Sequence, residues 1–258
     1  MSKEKTRRLW EEEWNNALKV WSDYVKLRPP EWCMNKAEAK AAGIRSSFAM
    51  IRLNDHRIVI DIPKLVEVGL EGCALQVLAH EIGHHIYTPA NLKDNAQVLS
   101  KLRWSLAGIE DQAPMVANLY EDLLINDRLQ RSKGLDMALV YRKVNQGITY
   151  SKLWTLYMRT YEYLWKLKRG ELAADLSMHD DSIDADASLI ASLIRSYSKD
   201  WLEGATRFGT MLYPYLIEEE EASAGRFSAI LILDTEEAGK GGGIVAGLTE
   251  MDKEAIEG

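Results

Sequence analysis

Apolar residues recur at steps of three and four along the first stretch of the chain. Trp10, Trp14, Leu18, Trp21 and Val25 share one face of a helix expected from about Thr6 to Leu27. An aromatic stripe of this kind reads as core packing before it reads as a binding ridge. Pro29 and Pro30 stop the helix, because a residue before proline is pushed out of the α region. Lys36 to Ala42 then reads as a short helix closed by Gly43. Two β-prone runs follow, Phe48–Leu53 and Arg57–Ile62, separated by Asn54, Asp55 and His56. Asn and Asp tolerate the positive φ of tight turns, so the runs predict a β-hairpin, which Pro63 closes.

The helical period returns from about Gly72 to Tyr87, where Leu75, Leu78, Ala79, Ile82 and Ile86 supply an apolar face before Thr88-Pro89. Further helices are expected over Asp94–Ala107, Ala113–Arg131, Ser151–Lys168 and Ala187–Trp201. The acidic stretch His179–Asp186 lacks the spacing and glycine of an EF-hand, and reads as a solvated loop with an N-cap at Asp184 or Asp186. Glu218–Glu221 reads as a solvated face, Ser228–Leu233 as a strand and Gly239–Gly243 as a flexible linker. Lys240 is followed by Gly241 where a phosphate loop requires Ser or Thr. Asp234-Thr235-Glu236-Glu237 lacks the hydroxyls that would make it the metal-binding start of a von Willebrand A domain. The expected fold is α+β and mostly helical. Residues 1–47 form an N-terminal helical segment, 48–131 a core, 132–217 a helical subdomain, and 218–258 an acidic run, short strand and Gly-rich tail.

Composition narrows the function classes. With 258 residues, 47% of them hydrophobic, the chain can bury a large core without disulfides. A net charge of −7 counts against a dedicated nucleic-acid or anionic-membrane binder, since phosphate affinity comes from cationic side chains. Cys33 and Cys73 form no C-x-x-C pair and read as buried thiols of a reducing compartment. The opening MSKEKTRRLWEEEW has no apolar core of a secretory signal, and no apolar run approaches the roughly 20 residues that span a bilayer. A cytoplasmic protein without a nucleic-acid or membrane partner is expected.

His80-Glu81-Ile82-Gly83-His84 carries the candidate chemistry. Residues i and i+4 project from one helix face, so His80 and His84 can reach one Zn²⁺. Glu81 stands about 100° round the helix, where its carboxylate can take a proton from a water that zinc has acidified. Such a site needs a third protein ligand and an open position. His85 points away from its neighbour His84. The helix Asn118-Leu119-Tyr120-Glu121-Asp122-Leu123-Leu124-Ile125-Asn126-Asp127 is a better source. Asn118, Asp122 and Asn126 form a polar stripe at i, i+4 and i+8, which favours Asp122, with the asparagines orienting the site. Glu121 stays close behind, because glutamate is the commoner third ligand in thermolysin-type peptidases. If none of these bind metal, His80 and His84 are core histidines of a helical binding protein.

HEIGHH followed by NLYEDLLIND resembles the zincin-type metallopeptidases, on the gluzincin-like side. Within that group it resembles bacterial and phage metallopeptidase families often encoded beside MoxR-type ATPases and von Willebrand A domains. The resemblance covers about Phe48 to Arg131. The metzincin extension is absent, since Tyr87 and Ala90 stand where a Gly and a third His would fall, and the thermolysin-like N-E-x-x-x-D pattern fails around Glu121. The resemblance implies a zinc endopeptidase with Glu81 as general base and a protein or peptide substrate. It also implies a small sheet over the HExxH helix, the acidic helix below, and a strand edge that takes an extended peptide. Tyr87, Tyr120, His85 and His179 are the candidates for an oxyanion stabiliser. The alternative is a zincin-shaped adaptor or regulatory subunit with a structural metal, working with an ATPase or a von Willebrand A partner. Tyr150, Trp154, Tyr157, Tyr161 and Trp165 motivate it, although core packing explains that stripe equally well.

Overall fold

Trp10, Trp14 and Trp21 all point into the core from helix α1 (Lys3–Trp21), whose N-terminus Ser2 caps. Two of the indoles also meet their hydrogen-bonding need across the molecule. Trp10 Nε1 donates to the Glu71 carbonyl at 3.0 Å and Trp21 Nε1 to the Ala79 carbonyl at 2.7 Å. The helix ends earlier than its apolar stripe predicts. Ser22 takes extended backbone while its N–H still bonds the Leu18 carbonyl, so Val25 lies outside. The structure is a computed structural model, and it describes residues 2–44, 47–53, 55–146, 150–173 and 181–223.

After Pro29 and Pro30 comes strand β1 (Glu31–Cys33), too short to show a period in sequence. Helix α2 (Lys36–Ala42) begins at the Asn35 cap and ends at Gly43, whose φ of 104° needs a glycine. Strands β2 (Ala49–Arg52) and β3 (Arg57–Asp61) form the expected antiparallel hairpin, with Ile51 opposite Ile58. Among the described turn residues it is His56, not Asp55, that takes positive φ; Asn54 lies outside them. Asp55 instead accepts from the Arg57 N–H and holds Arg52. β1 pairs parallel to the other side of β3, giving a mixed sheet of order β1-β3-β2. Pro63 closes the hairpin by opening helix α3 (Ile62–Glu67), a place where its missing N–H costs nothing.

Helix α4 (Ala74–Ile86) packs against α1, β2 and helix α6 (Ala113–Ser132). Between them run α5 (Leu92–Ser105) and a 3₁₀ turn at Glu110–Gln112. Helices α7 (Met137–Val144), α8 (Lys152–Trp165), α9 (Asp181–Ser196) and α10 (Trp201–Ser223) complete the described chain. The acidic stretch from Asp181 onward is the start of α9, not a solvated loop. Asp184 pairs with Arg159 at 2.7 Å and Arg169 at 3.0 Å, and Asp186 accepts from the Tyr215 hydroxyl at 2.7 Å. The expected helix to Trp201 is broken after Ser196, and Trp201 begins α10. Of the Glu218–Glu221 run, Glu218 pairs with Lys152, but Glu219 is buried and accepts from Ser151. Ser228–Leu233, Asp234–Glu237 and Gly239–Gly243 lie outside the described residues.

The architecture is therefore α+β, mostly helical with one small mixed sheet. One cluster of buried side chains runs from Trp10 to Leu216, and a smaller one fills the space between α2 and the sheet. Cys33 and Cys73 are buried and unbridged, and burial pushes the Cys33 thiol up to about 11. No described helix is long and apolar enough to cross a membrane.

Candidate metal centre

Two helices bring the candidate ligands together, and Gly83 sets how closely. A Cβ at Gly83 would lie 2.6 Å from Ile125 Cγ2 and 2.8 Å from Trp21 Cζ2. Only a hydrogen fits where α4 crosses α6. One position on, His84 faces α6, and one turn back His80 does the same. Asp122 answers both: its Oδ1 lies 3.4 Å from His80 Nε2 and 3.3 Å from His84 Nε2. His80, His84 and Asp122 are 6%, 3% and 5% exposed, and they form a buried group able to hold a metal ion.

The hydrogen bonds around the group decide which atoms carry protons. His84 Nδ1 lies 3.0 Å from the Thr88 carbonyl, which can only accept, so Nδ1 carries the hydrogen. His80 Nδ1 lies 2.8 Å from Asn126 Oδ1, while Asn126 Nδ2 donates to Tyr141 Oη and Tyr161 Oη, both at 2.9 Å. Asn126 Oδ1 therefore accepts, and His80 is also protonated at Nδ1. In the neutral rings both Nε2 atoms then carry lone pairs, and both face a carboxylate oxygen. Asn118 Nδ2 donates to Asp122 Oδ2 at 3.2 Å, whereas Asp122 Oδ1 accepts no regular hydrogen bond. Three electron-rich atoms converge where only a cation resolves the repulsion, either an added proton or a metal.

A metal fits the spacing. Tetrahedral zinc with bonds of about 2.0–2.1 Å separates its ligand atoms by about 3.3–3.4 Å, the same as the two imidazole-to-carboxylate distances. Without one, burial would raise the Asp122 carboxyl, but the positive charge of a protonated His80, then hydrogen bonding from His80 and His84, outweighs burial and holds it below its usual range. The donor set of two imidazoles and one carboxylate suits zinc, and among the described residues no fourth His, Cys, Asp or Glu joins it.

The other sequence candidates fall in several places. Glu121 is not part of the group. It is buried one position round α6, with Oε1 lacking a hydrogen-bond partner, and burial, then the Asp122 charge, push its carboxyl well above the usual range. Glu81 is buried on α4 between the two histidines in sequence. Of the oxyanion candidates, the Tyr87 hydroxyl donates to the Ser198 carbonyl and that of Tyr120 to the Trp201 carbonyl. His85 Nδ1 pairs with His56 Nδ1 at 3.0 Å, and His179 lies outside the described residues. His85 is not among the converging ligand atoms.

Sequence reasoning missed the phenols behind His80. Tyr141 sits on α7, a helix too short for its period to stand out, and nothing singled it out. Tyr157 and Tyr161 were visible as an i, i+4 pair, but as core aromatics. Both are fully buried beside the site, where burial is the main force holding their hydroxyls protonated and the Asp122 charge adds to it. No protein-family model matches the chain, and no curated protein or solved structure is significantly similar to it. What fold and site define is an α+β protein with a buried His-His-Asp group able to take a metal.

Proposed function

We propose that the protein is a zinc metallopeptidase of zincin-like design, acting on a protein or peptide in the cytoplasm. The observation that carries this reading is the convergence of three lone-pair donors, each imidazole nitrogen at tetrahedral spacing from the Asp122 oxygen, with no fourth described His, Cys, Asp or Glu joining them. Zinc in such a position supplies Lewis acidity towards water and a peptide carbonyl. His80, His84 and Asp122 hold the ion, and Asn118 and Asn126 aim them. Glu81 takes the proton of the attacking water on its carboxylate and delivers it to the leaving amide nitrogen. β2, an edge strand packed on α4, is the place where an extended peptide would add to the sheet, beyond Ala49, whose N–H and carbonyl are already bonded by the Ser47 hydroxyl.

The test has two parts. Purified wild type should carry about one zinc per chain, Asp122→Ala should lose it and Glu121→Ala should keep it. Glu81→Gln should retain the zinc and lose nearly all peptide hydrolysis. Unchanged hydrolysis in Glu81→Gln would end the mechanism, and no zinc in the wild type after supplying it would end the site.

The burial of all three ligands supports a second reading, an adaptor or regulatory subunit with a structural metal that works with an ATPase or a von Willebrand A partner. X-ray absorption of the zinc-loaded protein separates the two: a water ligand supports the peptidase, four protein ligands the adaptor.

A further inference from the structure

The side chains behind His80 form a chain of hydrogen bonds with one direction. Tyr157 Oη donates to the Leu119 carbonyl at 3.2 Å, and a carbonyl cannot donate back. The Tyr157 proton is therefore committed, and across the 3.1 Å contact between Tyr157 and Tyr161 the donor must be Tyr161. Tyr141 Oη donates to Tyr161 Oη at 2.8 Å, so the protons of both phenols next to Asn126 point away from it. Both oxygens can then only accept from Asn126, which must turn its NH₂ towards them. That leaves Asn126 Oδ1 facing His80 Nδ1.

We infer that Tyr161, with Tyr141 and Tyr157, is a positioning residue that fixes the tautomer of His80 through the orientation of Asn126. This rests on the metal-site reading above. An amide is nearly symmetric in shape, and nothing steric stops Asn126 from presenting NH₂ to the imidazole. In that flipped state His80 carries its hydrogen on Nε2 and offers Asp122 a donor, with no lone pair for a metal. The backbone carbonyl of Leu119 sets the polarity that excludes it. Leu119 is on α6, which also carries Asp122 and Asn126, so one helix supplies a ligand, the amide that orients a second ligand, and the acceptor that orients the amide. The aromatic rings pack the core; the hydroxyls select the proton position.

The experiment uses the full chain and two readouts. Nitrogen-15 NMR of the imidazoles, at a pH where they are neutral, reports the tautomer of His80 without metal, and competition with a chelator reports zinc affinity. In wild type His80 should be the Nδ1–H tautomer. Tyr161→Phe keeps the ring and removes the acceptor, so an Nε2–H population should appear and zinc should bind about tenfold more weakly or worse. Tyr157→Phe touches neither Asn126 nor His80, yet should shift the tautomer in the same direction, by a smaller amount. Adding Asn126→Asp to Tyr161→Phe gives His80 Nδ1 an acceptor that needs no phenol, and should restore both readouts. A wild-type tautomer and affinity in Tyr161→Phe would overturn the inference, as would failure of Asn126→Asp to rescue in a folded protein. If wild type takes up no zinc, the function above falls, while the tautomer readout still decides whether the phenols orient Asn126.

Discussion

Gly83→Ala isolates how much of the site depends on the approach of α4 to α6. Ordinary carbon contacts begin at about 3.4 Å, so a methyl placed 2.6 Å from Ile125 Cγ2 requires an opening of about 0.8 Å there. Two energies compete in the metal-free protein. Alanine is the better helix former by about 1 kcal/mol, while overpacking costs about 1–3 kcal/mol. The net loss of stability should therefore lie between about 0 and 2 kcal/mol, and the protein should stay folded. The effect on metal should be larger in proportion. Parting the helices by that amount carries His84 Nε2 from 3.3 Å towards about 4 Å from Asp122 Oδ1, too far for both to reach one zinc. Zinc affinity should fall at least about tenfold, measured by chelator competition, with urea unfolding of the metal-free protein alongside. Ile125→Ala in the Gly83→Ala background removes the nearest obstruction and should recover part of the affinity, although Trp21 Cζ2 still crowds the methyl at 2.8 Å. Wild-type zinc affinity in Gly83→Ala would refute the claim that this contact sets the ligand spacing.

Two further predictions concern buried charge. Arg159 pairs with Glu162 at 2.6 Å, and Glu162 is fully buried while accepting from the Leu172 and Ala173 N–H groups. Arg159→Ala should destabilise by about 3–5 kcal/mol in urea unfolding, because it leaves that carboxylate buried with its cation gone. Glu121 keeps its proton in the folded state beyond the pH at which the unfolded chain releases it. Stability of the metal-free wild type should therefore fall as pH rises above the ordinary carboxyl range, and Glu121→Gln should flatten that slope and be the more stable protein at neutral pH. Parallel pH dependences in urea unfolding would show that Glu121 is ionised in the native state.

Elements whose own period dictates their burial were legible in sequence, and those imposed by distant partners were not. Trp10, Trp14 and Trp21 announced α1, and Leu78, Ala79 and Ile82 announced α4, because each repeats on one face. The stripe Asn118–Asp122–Asn126 pointed to the face of α6 that meets His80 and His84 for the same reason. α10 was hidden by Gly204, Gly209 and Pro214, which argue against a helix locally. A Cβ at Gly204 would lie 2.2 Å from Tyr120 Oη, and one at Gly209 would lie 2.2 Å from Ser105 Oγ, so these glycines let α10 close on α6 and α5. The packing gained outweighs a propensity cost of about 1 kcal/mol per glycine. At the site, helix geometry favoured Asp122 and left Glu121 close behind, but the partnership of Tyr141, Tyr157 and Tyr161 with Asn126 joins three helices and leaves no local trace.

The group that joins α4 to α6 also has a topological consequence. His84 and Asp122 stand at the two ends of a segment that contains all of α5 and the 3₁₀ turn. An ion gripped by both ends ties that segment into a ring of about 40 residues, which in the chain-entropy account of cross-links removes about 4 kcal/mol of disorder from the unfolded state. With such an ion bound, a chain without disulfides would acquire a reversible tie across its middle, one that a chelator could undo without breaking a covalent bond.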